Sequence, residues 1–487
     1  MARRLAIGKG AAVMQAPLLR VIAIGLAVAI PAEALAQAAW EYTPYEARVW
    51  IAQQAAPQLP AATIDKLQGA LPARARTTWD GVLQLQVSAA PAGLVGSLIH
   101  DFDQLAVEQI ANVATAKELD VDKIYLAVIR CEQSGFRIRV RELDCHSRQL
   151  GSIVELSAIT LPDLAPGLCD AITECFTPLA RIEIVGDRNL SARLRAGGLI
   201  ASSDSPAMVE PGMVLRPIIR RNDRNGQPAK GGIQAIPWSY LTVEERHDSV
   251  LECSLRSGYR AAIPARGGVR MERLALVVRP RMDETRLALR SRNDKSKPLA
   301  GYEIFRRVGD DNQKMEFLGQ TDAKGELTIS RVDELGGLET LVVKNGQQLL
   351  ARLPVVPGYE RTLTAYLIDD DGRLAAEGFV EALNSRVIDL VVRREIMAAQ
   401  IRARIKDGKL DEAQKLLDDF RRLNTRADLT KDLDQFRQQV ATGDKTTQER
   451  IDRVFADAQK LLLLKPLSDD LLAQLTREVA AARPGSQ

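Results

Sequence analysis

The chain has 487 residues, 46% of them hydrophobic and 26% charged, with 66 Lys and Arg against 63 Asp and Glu. These values exclude a disordered polymer and a polytopic membrane protein, and at about 150 residues per domain they imply several cores rather than one. Aromatic residues make up only 4%, which leaves little material for sugar-stacking platforms.

At the start, Arg3, Arg4, Lys9 and Arg20 precede an uncharged run from Val21 to Ala32, and Ala34-Leu35-Ala36 places small residues at −3 and −1 of a cleavage point. This is the pattern of a secretory signal peptide over residues 1–36, so the mature protein is expected in the periplasm or outside the cell. The run is shorter than the roughly 20 apolar residues of a membrane span, and no other stretch reaches that length, so no transmembrane segment is expected after signal removal. No Cys stands at the cleavage point to take a lipid, and the arginine pair lacks the register of a twin-arginine signal. Four positive charges and one negative leave with residues 1–36, which takes the net charge from +3 to zero. A neutral chain has no global field to hold a polyanion, so nucleic acid is not an expected partner.

Residues 37–190 alternate between strand and helix periods and are expected to form an α+β layer domain. YEARVWIA reads as a strand, IDKLQGAL as a short helix, and Leu83, Leu85 and Val87 alternate with Gln84 and Gln86 as in a half-buried strand. Apolar spacings near three and four over 93–117 predict one amphipathic helix. IYLAVIRCEQSGFRIRVRELD predicts a hairpin turning near Gln133–Gly135, with Phe136, Ile138 and Val140 on one face and Arg137, Arg139 and Arg141 on the other. A strand at SIVELSAI, a helix at DLAPGLCDAITECF and a strand at LARIEIVG follow. This order resembles the N-terminal α+β domains of periplasmic envelope-assembly proteins of the TolB type.

From 191 to 284 the helical period disappears. Short β-rich runs (AGGLIAS, MVLRPIIRR, AIPWSYLTV, VLECSLRS, YRAAIPA, ERLALVVRP) separated by turn residues predict a small β-barrel, with Ser257-Gly258 as a hairpin turn. MVEPGMVLRPIIRR is similar to the strand entry of bacterial SH3-like barrels. Over 285–393 the residues Pro298, Gly301, Thr321, Asp322 and Gly325 lie in PLAGYEIFRR and FLGQTDAKGELTI, which resemble a carboxypeptidase regulatory-like or transthyretin-like β-sandwich. That resemblance implies an accessory module without catalytic residues. Asn345-Gly346 and Asp371-Gly372 independently signal two-residue hairpin turns. Residues 394–487 take a helical period with a break at Asp407-Gly408, and KDGKLDEAQKLLDDF resembles one tetratricopeptide-like hairpin within a helical bundle. The fold class expected is therefore multidomain α+β: a layer domain, a barrel, a sandwich and a bundle. WEYTPYEARVW, PLAGYE, TD-x-x-G and VKNG-x-x-LARLP-x-x-PG together resemble a family of exported proteins of planctomycete-type bacteria, a resemblance that implies no activity.

The chemistry-bearing residues are sparse. His100, His146 and His247 have no metal-ligand spacing, and neither HExxH nor CxxC occurs, so no metal site is assigned. GxSxG, SxxK, Walker A and GxGxxG are absent as well, and no catalytic residue and no cofactor is assigned. Cys145 and His146 are adjacent, but neighbours on a strand point to opposite faces. Cys169 and Cys175 on one helix would be separated by about 9 Å of rise, beyond disulfide reach. In the hairpin Cys131 faces Phe136 rather than Cys145, which leaves either hairpin-to-helix disulfides or buried free thiols. Asp369, Asp370 and Asp371 with Gly372 are read as a hairpin turn, because contiguous aspartates break the alternating ligand pattern of an EF-hand. Two arginine groups stand out: the stripe of Arg137, Arg139 and Arg141, and the cluster of Arg216, Arg220, Arg221 and Arg224 beside the loop NGQPAKGG. Each either holds an anionic partner or is an ordinary solvated face. The second is the preferred partner-binding patch. The function expected is an exported, non-enzymatic scaffold or adaptor of the cell envelope that binds a protein or an anionic envelope polymer. The alternative is an extracytoplasmic hydrolase with a dispersed carboxylate site, which requires a pocket lined by paired acids.

Overall fold

Five strands form the first sheet in the order β2-β1-β3-β4-β5: β1 (Tyr45–Gln53), β2 (Leu83–Ala89), β3 (Lys123–Glu132), β4 (Gly135–Asp144) and β5 (Gln149–Ala158). The computed structural model describes residues 39–483 except 186–188, 260–261, 265–267, 269, 308–313, 333–336, 465–466 and 468–469, so the leader expected over 1–36 lies outside the described residues. Strands β1, β2 and β3 run parallel, which requires crossovers. Helix α1 (Ala62–Thr78) supplies one, and α2 (Ala92–His100) with α3 (Val107–Val113) supplies the other. Strands β4 and β5 extend the sheet as antiparallel hairpins, with Cys131 opposite Phe136 as expected. Helix α4 (Leu164–Cys175) shares the α1 face. Because β1 is covered on both sides, Tyr45, Ala47, Val49 and Ile51 pack toward α1 and α4 while Trp50 and Ala52 pack toward α2. Burial on both faces explains why this strand shows so little alternation. The single helix expected over 93–117 is broken instead: Phe102 drops into the core from a short 3₁₀ turn, and the Gln109 side chain accepts from the Ala106 N–H to start α3 afresh.

The next strands are β6 (Leu179–Val185), β7 (Asn189–Leu194), β8 (Val214–Asn222), β9 (Pro228–Ala235), β10 (Ser239–His247), β11 (Val250–Ser257) and β12 (Met271–Val277). Six close into a ring, β10-β11-β7-β6-β12-β8, through pairing of β8 with β10, and β9 flanks β8 outside it. Ala180, Ile182, Leu215, Leu241, Val243 and Ala275 fill the interior. The barrel thus begins at Leu179 rather than 191, because the strand LARIEIVG pairs with β7 and β12 and not with the first sheet. AGGLIAS is a 3₁₀ turn at Gly197–Leu199. The hairpin of β11 turns at its other end, where Asp248 has φ 53°, and Ser257-Gly258 instead ends the strand with the Gly258 N–H bonded to the Trp238 carbonyl.

The sandwich follows. One sheet is β16-β13-β19 and the other β15-β14-β17-β18, with β13 (Glu284–Ser291), β14 (Glu303–Arg307), β15 (Met315–Gln320), β16 (Glu326–Ser330), β17 (Glu339–Asn345), β18 (Gln348–Val355) and β19 (Thr362–Leu367). Asn345-Gly346 turns β17 into β18 as expected, with Gly346 at φ 60°. The Thr321-Asp322-x-x-Gly325 segment carries the chain between the two sheets and so does not make a hairpin. Asp322 Oδ1 accepts from the Lys324 and Glu326 amides, which tightens that corner.

The sandwich ends at Leu367, and Asp371-Gly372 opens helix α5 (Asp371–Lys406) rather than a hairpin. Tertiary contacts override the turn signal there: Tyr302 Oη accepts from the Asp370 N–H at 2.9 Å, and the Arg373 guanidinium folds back onto the Asp370 carboxylate. The helical region therefore starts at 371 instead of 394. Helices α6 (Leu410–Arg421), α7 (Arg426–Gln439), α8 (Lys445–Leu464) and α9 (Asp470–Ala481) complete it, with the expected break at Gly408, φ 71°. Leu383, Leu433 and Phe455 lie in one of its cores, and Ile401, Leu417 and Phe420 in another. Together these parts give the mixed multidomain α+β architecture read from the sequence.

Candidate functional site

Along the barrel wall, side chains alternate inward and outward. On β6, Ala180 and Ile182 point into the core while Leu179 and Arg181 point out; on β8 and β12 the outward set includes Ile218, Leu274 and Leu276 in one apolar patch covered by Trp40. Arg220 and Glu272, opposite each other in the β8–β12 ladder, extend that outward set. The first domain meets this wall with Asp122, just before β3, and His146, just after β4. Between them lies a cleft of about 500 Å³ lined by Trp40, Thr43, Asp122, His146, Arg181, Arg195, Arg220 and Glu272.

Arg195 is the clamp of the cleft. Its Nε and Nη2 donate to Asp122 Oδ1 and Oδ2 at 3.1 and 3.0 Å, and its remaining donors reach the carbonyls of Trp40 (3.1 Å), Pro44 (3.0 Å) and Thr43. Both members of this pair are buried. Burial by itself pushes the Asp122 carboxyl up, but the hydrogen bond from His146, the Arg195 charge and the Glu46 amide together hold it below its ordinary value. An ionised carboxylate only accepts, so His146 Nε2, 2.9 Å from Asp122 Oδ1, carries the donated proton. The other face of the imidazole turns Nδ1 toward Arg220 Nη1 at 3.5 Å.

Arg220 is partly engaged: Nε donates to Asn222 Oδ1 at 2.8 Å and Nη1 to the His146 carbonyl at 3.0 Å. Asn222 in turn donates to Glu272 at 2.6 Å. Arg181 differs from the other two. Its guanidinium lies 4.2 Å from the Trp40 ring centroid, its Nε is buried without a hydrogen-bond partner, and among the described residues no carboxylate pairs with it. Trp40 is fixed from below by its indole N–H, which donates to the Arg193 carbonyl at 3.1 Å.

Behind the cleft a second charge cluster is sealed from solvent. Lys123 donates to Glu142 and Asp144, both at 2.9 Å, and to the Thr177 carbonyl at 2.6 Å. Thr177 returns hydrogen bonds to Glu142 from its N–H and its hydroxyl. This is a fastening between the first sheet and the segment entering the barrel. Its two acids flank an ammonium, so they do not form an acid pair open to substrate.

The residues expected to form one binding patch are separated. Arg216 is turned to the sandwich, where it pairs with Glu360 at 2.6 Å and lies over Tyr359. Arg220 enters the cleft. Arg221 and Arg224 are exposed, the latter in the turn before β9. NGQPAKGG is a hairpin tip at Gly226 followed by that strand, not a long flexible loop. The stripe of Arg137, Arg139 and Arg141 is engaged by Glu132, Glu155, Asp103 and the Leu105 and Gly151 carbonyls. Cys145 faces the α2 core while His146 faces the cleft, and burial pushes the Cys145 thiol up to about 12. All five cysteines are free thiols, four of them buried. His247 is exposed beside Glu245, and no group of three or more potential metal ligands occurs among the described residues.

No protein-family model matches the chain, and no curated protein does. Among solved structures, the chain is similar to TolB from Acinetobacter baumannii, at 10% identity over 65% of this chain and 84% of that one, with a TM-score of 0.19. A superposition that loose carries no argument about fold or function. The site therefore stands on its own geometry. Sequence reasoning missed Trp40, Asp122, Arg181 and Arg195, which come from four separate segments. Only the position of Arg181 in the alternation of LARIEIVG hinted that it faces away from the barrel core.

Proposed function

We propose that the protein is an exported, non-enzymatic adaptor of the cell envelope that captures an anionic group of a protein or polymer partner in the cleft between its first domain and its barrel. The observation that supports this most is the unequal use of charge in that cleft. Its two carboxylates are already held by Arg195, His146 and Asn222, whereas among the described residues Arg181 is held only by an aromatic ring. A hydrolase of the retaining or inverting kind needs two carboxyl groups facing a shared substrate, one of them kept protonated. Asp122, kept ionised by its neighbours, does not suit the protonated role. Export rests on the charged start, the apolar run and the Ala-Leu-Ala end. No helix among the described residues is long and apolar enough to cross a membrane.

The test is fractionation of the native cell followed by crosslinking from a photoreactive residue at position 43, on the cleft rim. Recovery of the mature chain beginning at Gln37 outside the cytoplasm, joined to one reproducible partner, is the expected result. A chain beginning at Met1 in the cytoplasm, or hydrolase activity abolished by Asp122→Asn and Glu272→Gln, would overturn it.

A further inference from the structure

From the same cleft we infer the chemical class of its ligand: a single carboxylate, held by the Arg181 guanidinium that lies over the Trp40 ring. The inference rests on the adaptor reading for its biological context, but its chemistry is separate from it.

Three guanidinium groups line the cleft against two carboxylates, Asp122 and Glu272. Arg195 is matched by Asp122 in a two-pronged contact, and Arg220 sits across the ladder from Glu272 with Asn222 bridging them. The charge left over is one, and it resides on Arg181. A singly charged anion completes that balance, whereas a phosphate dianion entering the same space meets two fixed carboxylates.

Geometry selects further. A guanidinium held over an indole by cation–π attraction still offers N–H groups, whose fork matches the two oxygens of a carboxylate. Trp40 is itself immobilised by the Arg193 carbonyl and the apolar patch of Leu179, Ile218 and Leu274, so the ring under Arg181 is preorganised. The cleft, at about 500 Å³, exceeds a carboxylate group several-fold and opens to solvent, which leaves room for the body that carries it. The carboxylate can be the end of a partner's chain or that of a small organic acid, and the test separates the two.

The test uses the full mature chain with ¹⁵N-labelled tryptophan, the Trp40 indole resonance being assigned by Trp40→Phe. Titrants are N-acetyl-tetraalanine with a free C-terminus, its C-terminal amide, N-acetylglycine and inorganic phosphate at neutral pH. The free-acid peptide should shift the Trp40 resonance saturably, and the amide should need at least about tenfold higher concentration. Arg181→Gln should weaken the acid about tenfold and leave the amide unchanged, and Arg181→Lys, which keeps the charge but not the fork, should weaken it by a smaller factor. Tighter binding of the tetraalanine acid than of N-acetylglycine assigns the carboxylate to a chain end, and equal binding assigns it to a small acid. Identical responses to acid and amide, an Arg181→Gln protein that binds the acid like the parent, or tighter binding of phosphate than of either carboxylate would each overturn the inference. If Arg181→Gln fails to fold, the acid-against-amide comparison in the parent chain decides alone. Crosslinking of a partner that Arg181→Gln captures equally well sinks this inference and leaves the adaptor reading standing, and carboxylate binding with no partner in the cell does the reverse.

Discussion

The first two domains and helices α6 to α9 treat charge in opposite ways. At the junction of the first sheet and the barrel, Lys123, Glu142, Asp144, Asp122 and Arg195 are all removed from water and matched to one another. In helices α6 to α9, ion pairs lie on the surface, for example Arg437 with Asp452, both more than a third exposed. Surface pairs in high dielectric contribute little and tolerate change, whereas buried charges that lose a partner are strongly destabilising. The difference teaches where this chain fixes one geometry. Charged clamps hold the first domain against the barrel and so shape the cleft, while the helices are held by apolar stripes such as Leu383, Leu433 and Phe455.

The largest break in that contrast should come from Lys123→Met. It leaves Glu142 and Asp144 buried without a counter-charge, and a loss of about 3–5 kcal/mol in urea unfolding is expected. A loss below about 1 kcal/mol would show that the junction is not held by charge. Asp122→Asn should lose about 2–3 kcal/mol at neutral pH, less than Lys123→Met because Arg195 keeps its three carbonyl partners.

The same residue sharpens the comparison through pH. The folded-state value for Asp122 is depressed from 3.8 even though burial alone would raise it, because His146, Arg195 and the Glu46 amide favour the charged form. Its contribution is therefore present in full above the unfolded value and is lost as the pH falls through the folded one. Stability measured from pH 6 down to pH 3 should drop less steeply in Asp122→Asn than in the parent. An unchanged acid limb would remove Asp122 from the account.

Smaller effects are expected where the pair is only half-buried. Arg216→Ala, which frees Glu360 and uncovers Tyr359, should lower stability by about 1 kcal/mol and loosen the barrel against the sandwich, as read by hydrogen exchange of the β8 amides. Smallest of all is Arg437→Ala in the helices, expected within about 0.5 kcal/mol of the parent by thermal melting. If it matched Lys123→Met, the two regions would not differ in the way the burial pattern implies.

Local rules within one segment were enough for much of this molecule. The hairpin of β3 and β4, its register at Cys131 and Phe136, the Asn345-Gly346 turn and the helix break at Gly408 each follow from periodicity and turn chemistry over a few residues. Tertiary structure decided the rest. LARIEIVG is a good strand in any sheet, and only its neighbours β7 and β12 assign it to the barrel. Asp371-Gly372 carries a turn signal, yet Tyr302 and Arg373, the first from a distant strand entry, make it the start of a 36-residue helix. Four arginines within nine positions look like one patch in one dimension. Strand β8 and the turn after it spread them apart, so that Arg216 meets Glu360, Arg220 meets His146, and Arg221 and Arg224 meet solvent. The cleft itself joins Trp40, Asp122, Arg181 and Arg195 across 155 positions of chain. No periodicity spans that distance, because what brings these residues together is the closing of a barrel against a separate sheet.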